Sequence, residues 1–349
     1  MTLEVIHDAP LQALHTFGVP ATAAHLIRLR QTCELPELLQ TLPRLTDDPA
    51  STLILGAGSN WLPLGRLVAP IVQVQLRGRR LLDDQGLIEV AAGESWDELV
   101  HWSLEQGLAG LENLALIPGT AGAAPIQNIG AYGVELASCL EQVEAVHLLS
   151  GQTHRFDRAE CALGYRDSLF KQAAGAHWLI TSVRLRLVPE ARARLHLDYG
   201  DVQHWLTEAG IAAPRAHDVA RAVTAIRRSK LPDPAVLGNA GSFFKNPIVS
   251  AAQAQALKAA HPAMPQWAFE AGAHAGAQFK LAAAWLIDQC GWKGARHGQA
   301  GVHAAHALVL INHGQARGSE VVALARQIQA SVMTRFGVML EPEPKIVGH

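Results

Sequence analysis

The sequence predicts a mixed α+β protein with more than one domain. Its 349 residues are enough for two or three domains of ordinary size. Hydrophobic residues make up 49% of the chain and charged residues 17%, so the chain can fill sizeable cores and is not disordered. Short strand-like runs dominate the first half, and helical patterns are more frequent in the second half.

In the first half, the predicted elements are short and are separated by turn residues. We predict an irregular lead-in over residues 1–22 and a helix over residues 35–42, with Pro36 in its first turn. Ser95 and Glu98 form a capping box, which starts a second helix that ends near Gly107. The predicted strands are 52–55, 67–74, 86–92, 142–149, 153–156 and 178–188, with a hairpin turn at 150–151.

In the second half, helices become longer and a second glycine-rich segment occurs. Pro189 and the residues after it are expected to form a linker. A glycine-rich loop is expected over 236–247, a buried strand over 307–311 and a final strand over 338–347. Helices are expected at 201–209, 217–228, 279–289 and 319–336, the last of which has apolar residues at helical spacing.

One long segment, Gly110–Gly133, is predicted to bind a large ligand. Its many glycines, with Pro118 and Pro125, oppose a regular helix and leave bare backbone N–H groups. The side-chain amides of Gln127 and Asn128 can bond to a polar ring edge. A long surface loop is the alternative, but three isoleucines in the segment favour burial, and a buried glycine-rich loop is typical of a binding site.

A shorter turn, Gly56–Asn60, follows the first of these predicted strands. A Rossmann fold requires three glycines and a following helix, but Trp61 stands at the third glycine position. The next strand-like run begins at residue 67, too soon for a crossover helix. The turn therefore joins two strands. Its N–H groups can still bind a pyrophosphate, and a simple tight β-turn is the alternative.

Three polar residues are candidates for chemistry, and each has a structural alternative. Arg166 lies in a turn beside apolar segments and suits a carboxylate or phosphate, unless it pairs with Asp167. Ser242 lies between Gly241 and two phenylalanines, where it is either a proton donor in a dry pocket or only a turn residue. No GxSxG motif surrounds it, so we do not expect a triad nucleophile. Glu343 lies between two prolines, where a solvated edge charge is the alternative.

Composition and spacing disfavour several classes of function. The formal net charge is −2 with charges interspersed, so we expect no nucleic-acid partner. No apolar run approaches the ~18 residues of a membrane span, and we expect neither a signal peptide nor a membrane partner. Four scattered cysteines indicate free thiols in a reducing compartment, so we expect a cytoplasmic protein. His303 and His306 have no acidic residue nearby, so we expect no metal site.

Six motifs together resemble the UDP-N-acetylenolpyruvoylglucosamine reductase (MurB) family of flavoenzymes, which act in bacterial cell-wall synthesis. The motifs occur in the family's order and span nearly the whole chain, which is too much agreement for chance. They are LGAGSN (55–60), GLENLALIPGTAGAAPIQNIGAYG (110–133), GYRDS (164–168), KLPDP (230–234), GNAGSFFKNP (238–247) and LEPE (340–343).

The resemblance implies noncovalent FAD in a domain of the vanillyl-alcohol-oxidase type, built from two α+β subdomains, and a C-terminal α+β domain that binds the substrate. The implied bounds are 1–189 for the FAD-binding domain, 190–330 for the UDP-sugar domain, and 331–349 for a strand that returns a glutamate to the flavin. The residues implied to bind FAD are Gly56, Ala57, Gly58, Ser59, Asn60, Gly119, Thr120, Gly122, Ala123, Ile126, Gln127, Asn128, Gly130, Ala131, Tyr132 and Gly133.

The implied reaction is the reduction of UDP-N-acetylglucosamine enolpyruvate. NADPH reduces the flavin and leaves, and hydride then passes from flavin N5 to C3 of the enolpyruvyl double bond. The charge that develops at C2 requires a cation and one proton, and here Arg166 and Ser242 match the family's residues. Glu343 matches the family's second polar group near the substrate carboxylate.

Four further residues are implied to bind the substrate. Tyr199 resembles the tyrosine of a loop that folds over the UDP-sugar in the longer, type I form of the family. Lys230 and Asn246 would contact the diphosphate. His306 stands where relatives often carry Gln near the uridine. In one further departure, Pro344 follows the glutamate where the family usually has Val.

Two alternatives and one expectation complete the hypothesis. An FAD-linked oxidase on the same scaffold is one alternative, but the loops offer no obvious His or Cys for a covalent flavin link, and the GNAGSFF and LEPE motifs would have no role. A non-catalytic nucleotide-sugar binder is the other, although Arg166, Ser242 and Glu343 are all present. We also expect a monomer.

Overall fold

The computed structural model describes residues 3–269 and 276–348. The chain divides into two compact units. The first unit comprises Met1–Ala9, Thr22–Gly58 and Leu67–Ser229, and the second comprises Pro10–Ala21, Ser59–Arg66 and Lys230–His349. This border at residues 229 and 230 differs from the predicted border after residue 189, because the two helices that follow the predicted linker belong to the first unit.

The secondary structure consists of many short strands and seven named helices within the described residues. The helices are α1 (Leu35–Leu45), α2 (Trp96–Glu105), α3 (Val202–Glu208), α4 (Ala216–Lys230), α5 (Ala251–Ala260), α6 (Ala283–Gln289) and α7 (Gly318–Phe336). The strands are β1 (Glu4–Pro10), β2 (Ala21–Leu29), β3 (Leu53–Leu55), β4 (Trp61–Pro63), β5 (Gly65–Leu67), β6 (Ile71–Val74), β7 (Arg79–Leu81), β8 (Leu87–Ala91), β9 (Leu108–Ala109), β10 (Gly130–Ala131), β11 (Val134–Glu135), β12 (Leu140–His147), β13 (Thr153–Asp157), β14 (Trp178–Arg186), β15 (Val188–Pro189), β16 (Gly238–Ser242), β17 (Ile248–Ser250), β18 (Gln266–Phe269), β19 (Gln278–Leu281), β20 (Arg296–His297), β21 (Ala300–Val302), β22 (Val309–Asn312) and β23 (Lys345–Val347).

Two sheets form the framework of the first unit. One sheet has the strand order β1-β2-β6-β3, in which β6 runs parallel to both β2 and β3. The other is antiparallel, with the order β13-β12-β14-β8-β7. Buried side chains from both sheets and from α1 and α2 form one hydrophobic core, which includes Leu38, Val72, Val90, Leu99 and Val183.

Helix α2 anchors the long glycine-rich segment of the first unit. Ser95 caps the helix, since its Oγ accepts a hydrogen bond from a backbone N–H of the first turn, as the capping box predicts. Asp97 Oδ1 accepts a bond from Leu116 N at 2.5 Å. Trp96 is buried, and its Nε1 donates to Leu114 O at 3.1 Å. The first turn of this helix thus fixes the entry to the segment.

The second unit has its own sheets and its own core. Strands β16, β22, β21 and β20 form an antiparallel sheet in that order, β19 pairs with β17 and β18, and β23 runs parallel to β4. Helix α7 packs on β21 and β22 with a stripe of buried residues at helical spacing, which includes Val321, Leu324, Ile328 and Val332. This confirms the predicted amphipathic helix.

Three expectations about local structure were wrong. The predicted lead-in over 1–22 contains strand β1 and the start of β2, and these two strands are neighbours in one sheet. The predicted loop over 236–247 contains strand β16, and the predicted helix over 279–289 begins as strand β19. In each case, pairing with a strand elsewhere in the chain outweighs the local preference of the sequence.

The end of the chain also differs from the prediction. The final strand covers only Lys345–Val347, because Pro342 and Pro344 lack the N–H donors that a continuous ladder needs. Glu343 therefore lies just before β23. The helices α1 and α2 and the hairpin of β12 and β13 are confirmed, and the Gly56–Asn60 turn joins strand β3 to strand β4, as predicted.

None of the helices in the described part of the chain is long and apolar enough to span a bilayer.

Candidate active site

The structure distributes the predicted site residues over both units. The first unit holds Gly56, Ala57, Gly58, Gly119, Thr120, Gly122, Ala123, Ile126, Gln127, Asn128, Gly130, Ala131, Tyr132, Gly133, Arg166 and Tyr199, and the second holds Ser59, Asn60, Lys230, Ser242, Asn246, His306 and Glu343. Each group is described within its own unit.

In the first unit, the two segments predicted to bind FAD lie close together. A Cβ added to Gly56 would lie 2.7 Å from Thr120 Oγ1, and one added to Gly122 would lie 2.5 Å from Ala92 Cβ. Both positions therefore require glycine for close backbone approach. A backbone hydrogen bond joins the segment to residue 92, since Gly122 N donates to Ala92 O at 2.9 Å. It is largely buried, as the ligand-binding hypothesis predicts and the surface-loop alternative does not.

Arg166 lies at the tip of a tight turn in the same unit. Gly164 N donates to Asp167 O at 2.9 Å and closes the turn. Arg166 has a φ of +54°, in the left-handed region that residues with a Cβ rarely adopt. Its Nη2 donates to Gly130 O at 2.9 Å, and its guanidinium carbon lies 5.5 Å from the ring centroid of Tyr165. The structure thus brings Arg166 to the glycine-rich segment.

Tyr199 also lies beside this segment. Its Cβ would be 3.2 Å from a Cβ added to Gly133, and its side chain is 54% exposed. Asn113, which is buried, donates from Nδ2 to Tyr132 O at 3.1 Å and to His196 O at 2.9 Å. This amide connects the glycine-rich segment to the stretch that leads into Tyr199.

Arg227 is a residue of this region that the sequence did not identify. Its Nε is buried and has no hydrogen-bond partner among the residues that the structure describes. Burial lowers the pKa of this guanidinium, while Tyr132 and Asp97 nearby raise it and Arg166 lowers it further. An arginine donor of this kind beside Tyr132 indicates a polar or anionic ligand, because a buried unpaired donor costs free energy.

In the second unit, Ser242 and Glu343 lie on neighbouring strand segments. Glu343 N donates to Phe243 O at 2.8 Å, and Lys245 N donates to Glu341 O at 3.0 Å. These bonds pair the end of β16 antiparallel to the segment before β23. Phe243 is fully buried, so the residue that follows Ser242 packs in the apolar core.

The polar residues around this pairing hold the backbone in place. Asn60 Nδ2 donates to Glu343 O at 3.1 Å, which gives this predicted FAD residue a contact with the glutamate segment. Ser59 O accepts a bond from Thr16 Oγ1 at 3.3 Å. Buried Asn239 accepts from Gly241 N at 2.8 Å, which shapes the turn before Ser242.

His306 and Lys230 lie near each other in the second unit. Burial lowers the pKa of His306, and His303, Lys230 and Lys293 nearby lower it further. Leu308 N donates to His306 Nδ1 at 3.3 Å, so the neutral ring carries its proton on Nε2 and can donate from there. Asn246 Oδ1 accepts a hydrogen bond from Ala283 N at the start of α6 (3.0 Å). Within the described residues, no group of three His, Cys, Asp or Glu side chains could hold a metal ion.

Two family profiles match the chain. The profile described as "FAD binding domain" matches residues 24–157. The profile described as "UDP-N-acetylenolpyruvoylglucosamine reductase, C-terminal domain" matches residues 233–347. The second match begins close to the structural border at residues 229 and 230, and the two together confirm the predicted α+β fold with an FAD-binding domain and a separate C-terminal domain.

Whole-length relatives agree with these profiles. The UDP-N-acetylenolpyruvoylglucosamine reductases of Pseudomonas aeruginosa and Chromobacterium violaceum are 52% and 50% identical to this chain, and each alignment covers 99% of this chain and 100% of the relative. The crystal structure of the reductase (MurB) from Thermus caldophilus has a TM-score of 0.65 at 27% identity, with full coverage of both chains.

The residues of the first unit fit FAD. Among the described residues, the buried Nε of Arg227 and Oδ1 of Asn113 have no hydrogen-bond partner, and they are a donor and an acceptor of the kind that a flavin nucleotide could satisfy. The side chain of Asn128 does not fit contact with FAD, because its amide is already hydrogen-bonded to protein groups.

Proposed function

Because the chain belongs to the UDP-N-acetylenolpyruvoylglucosamine reductase family, we propose that it reduces UDP-N-acetylglucosamine enolpyruvate to UDP-N-acetylmuramate with electrons from NADPH. The chain is an FAD oxidoreductase by its family and by its FAD-binding domain. FAD held by the first unit would supply the hydride transfer from NADPH to C3 of the enolpyruvyl group. Residues of this chain supply the proton and stabilise the developing charge.

Ser242 is proposed to donate the proton to C2. The observation that carries this assignment is the backbone pairing of residues 243 and 343, which supports placing the Ser242 hydroxyl and the Glu343 carboxyl group on adjacent backbone segments. A serine hydroxyl is a poor acid in water. It can donate here because the carbanion is far more basic and because the buried Phe243 and Phe244 help to exclude water.

Arg166 and Glu343 are proposed to act on the carboxylate end of the substrate. Arg166 supplies the positive charge that stabilises the enolate as it develops, since a fixed guanidinium acts on such charge without reorganisation. Glu343 is the second polar group at the same end. Its backbone is fixed on both sides, by the bond from its N–H to Phe243 and by the bond from Asn60 to its carbonyl.

Four residues are proposed to bind the UDP-sugar. Lys230 and Asn246 contact the diphosphate, and His306 contacts the uridine with the proton on Nε2. Tyr199 closes over the sugar nucleotide, as in the longer, type I form of the family. The support for this last assignment is its position against Gly133 and the presence of α3 and α4 after it.

The setting of the enzyme is part of the proposal. Reduction of the enolpyruvyl sugar nucleotide is a step in peptidoglycan precursor synthesis, so we propose that it takes place in the cytoplasm with the enzyme as a monomer. The four cysteines are free thiols, and burial raises the pKa of Cys139 and of Cys161 to about 12. Unreactive, unpaired thiols are typical of proteins in a reducing compartment.

Separate measurement of the two half-reactions tests the function. The purified protein should show a flavin absorption spectrum, which NADPH bleaches and the enolpyruvyl sugar nucleotide restores under anaerobic conditions. In Ser242→Ala, NADPH should still bleach the flavin, while the second step slows by about a thousandfold or more, as expected for loss of a general acid.

A matched control is Ser331→Ala, which removes a serine hydroxyl from the exposed side of α7 in the same unit and should leave both steps unchanged. If Ser242→Ala retains the full rate of the second step, Ser242 is not the acid. If the protein stays colourless after reconstitution with FAD, the whole function is wrong.

A further inference from the structure

Ser168 fixes the C-terminal end of the turn that carries Arg166. Its side chain is fully buried, and its Oγ donates to Ile126 O at 2.7 Å. Ile126 belongs to the glycine-rich segment, so this bond joins the turn to the segment that is proposed to bind FAD. Because the site is shielded from water, removal of the hydroxyl takes a donor from a partly buried carbonyl that water does not readily replace.

Asn128 fixes the N-terminal end of the same turn. The residue is 1% exposed, and its Nδ2 donates to Gly164 O at 3.1 Å and to Glu135 Oε2 at 2.8 Å. Its Oδ1 accepts a bond from Ala137 N at 2.9 Å. The amide that was expected to contact the ligand is therefore bonded to protein groups on both sides, and it joins the Arg166 turn to the same segment as Ser168 does.

The backbone of Arg166 needs support of this kind. A φ of +54° places it in the left-handed region, which is strained for a residue with a Cβ. Such a conformation persists only where the surroundings hold it. Here the surroundings include the buried side chain of Asn128, which bonds to Gly164 O, and that of Ser168, which bonds to Ile126 O. The guanidinium adds its own bond to Gly130 O, and the exposed Lys171 donates from Nζ to Arg166 O at 2.8 Å.

We propose that Ser168 and Asn128 are positioning residues, which affect the reaction through Arg166. They hold both ends of the turn against the glycine-rich segment and so keep the guanidinium at the Gly130 carbonyl. This inference rests on the proposed role of Arg166 in the reduction of the enolpyruvyl group. It assigns to Asn128 a task for its side chain that differs from contact with the cofactor.

The test separates the two half-reactions in Ser168→Ala and Asn128→Gly. Glycine suits the φ of +43° at residue 128, so this change removes the side chain without adding backbone strain. We expect reoxidation of the reduced flavin by the enolpyruvyl sugar nucleotide to slow by about tenfold or more, as for a misplaced catalytic group. The rate of reduction by NADPH, the KM for NADPH and the FAD content should stay at wild-type values.

Combination with Arg166→Ala shows whether the effect passes through the arginine. If it does, the double variant Ser168→Ala/Arg166→Ala is as slow as Arg166→Ala alone. Ser168→Thr keeps the hydroxyl and should recover most of the rate. The matched control is Ser138→Ala, which removes a similar bond to a carbonyl (Oγ to Glu135 O, 2.7 Å) at an exposed position a few residues after this segment, and which should behave as wild type.

Independent, additive losses in the double variant would overturn the inference, as would loss of FAD from both Ser168→Ala and Asn128→Gly. Either result means that the two residues only hold the segment together. The single variant Arg166→Ala distinguishes failure of the proposed function from failure of this inference. If Arg166→Ala itself is reoxidised at the wild-type rate, Arg166 has no role in this step, and the inference fails with that assignment.

Discussion

The two units hold their candidate catalytic residues in different ways. In the first unit, Arg166 lies on a strained turn that side chains tie to a glycine-rich segment. In the second unit, Ser242 ends a strand, and the main chain around it is paired with neighbouring segments, as in the bond from Phe243 N to Leu308 O at 2.7 Å. A single side-chain substitution can therefore loosen Arg166, whereas Ser242 is displaced only when the backbone around it moves.

The first and largest expected effect comes from adding one methyl group to the backbone of either unit. In Gly122→Ala the new Cβ would lie 2.5 Å from Ala92 Cβ, and in Gly238→Ala it would lie 2.3 Å from Phe17 O. Contacts this short force the chain to shift, so we expect each change to lower the free energy of unfolding by about 1–3 kcal/mol. Chemical denaturation measures this loss.

The functional consequences of the two glycine variants should differ. Gly122→Ala changes the segment proposed to bind FAD, so we expect a lower FAD content. Gly238→Ala displaces the strand that carries Ser242, so FAD should remain while reoxidation by the sugar nucleotide slows. Gly276→Ala is the control, because no atom of the described residues lies within 4 Å of a Cβ added there. If both variants lose FAD to the same extent, the units do not separate cofactor binding from proton donation.

The next effect concerns substrate binding alone. Lys230→Ala removes a charge proposed to contact the diphosphate, and a hydrogen bond to a charged group is worth about 1.5–3 kcal/mol. We therefore expect the KM for the sugar nucleotide to rise by about ten- to a hundredfold, with flavin content and the rate of reduction by NADPH unchanged. Steady-state kinetics and the flavin spectrum measure both. Lys258→Ala, on α5 in the same unit, is a control for the loss of one lysine. Loss of flavin from Lys230→Ala would mean that this lysine serves the cofactor.

The difference between the two units also explains how far the sequence could be interpreted. Helix α2 was predicted because its capping box is a local signal, confined to Ser95 and the first turn. Strand β16 was missed because Gly-Asn-Ala-Gly-Ser has little preference for a strand, and its hydrogen bonds are made with β22, about 70 residues further along the chain. Signals within a few residues can be found in one sequence, and pairings at such distances cannot.

The same limit applies to the candidate site. The glycine-rich segment, Arg166 and Ser242 were found because motifs mark them. Arg227 and Ser168 were missed because their importance depends on contacts that no local pattern encodes: a buried Nε without a partner, and a bond to the carbonyl of Ile126. For Asn128, the sequence predicted an amide that contacts the cofactor, whereas its bonds to protein groups could be known only from the fold.

The smallest expected effect is a difference in pH sensitivity. Among the described residues, the histidines with a lowered pKa all belong to the second unit: His15, His306 and His313, each mainly through burial. In the first unit, the bond from Arg215 holds the pKa of Glu190 below its ordinary value of 4.5. Mild acid should therefore act on the second unit. Glu190 in the first unit, like Asp83 and Glu89 whose pKa values are also lowered, should respond only below about pH 4.5.

The sign follows from proton uptake by the unfolded chain. When the folded pKa of a histidine lies below 6.5, its contribution to the free energy of unfolding is fully present above pH 6.5. This contribution is lost as the pH falls from 6.5 towards the folded pKa, because the unfolded state binds the proton first. For a buried residue such as His15, each pH unit between the two pKa values changes the free energy of unfolding by about 1.4 kcal/mol.

His15→Gln isolates this contribution. The amide cannot titrate but can still donate to Val19 O, to which His15 Nε2 lies at 3.1 Å. We expect wild-type protein to lose stability as the pH falls below 6.5, and His15→Gln to lose less over the same range, measured by chemical denaturation at each pH. His204→Gln, an exposed position of the first unit, should follow the wild-type curve. Equal slopes for wild type and His15→Gln would place the acid sensitivity elsewhere, and a flatter curve for His204→Gln would place it in the first unit.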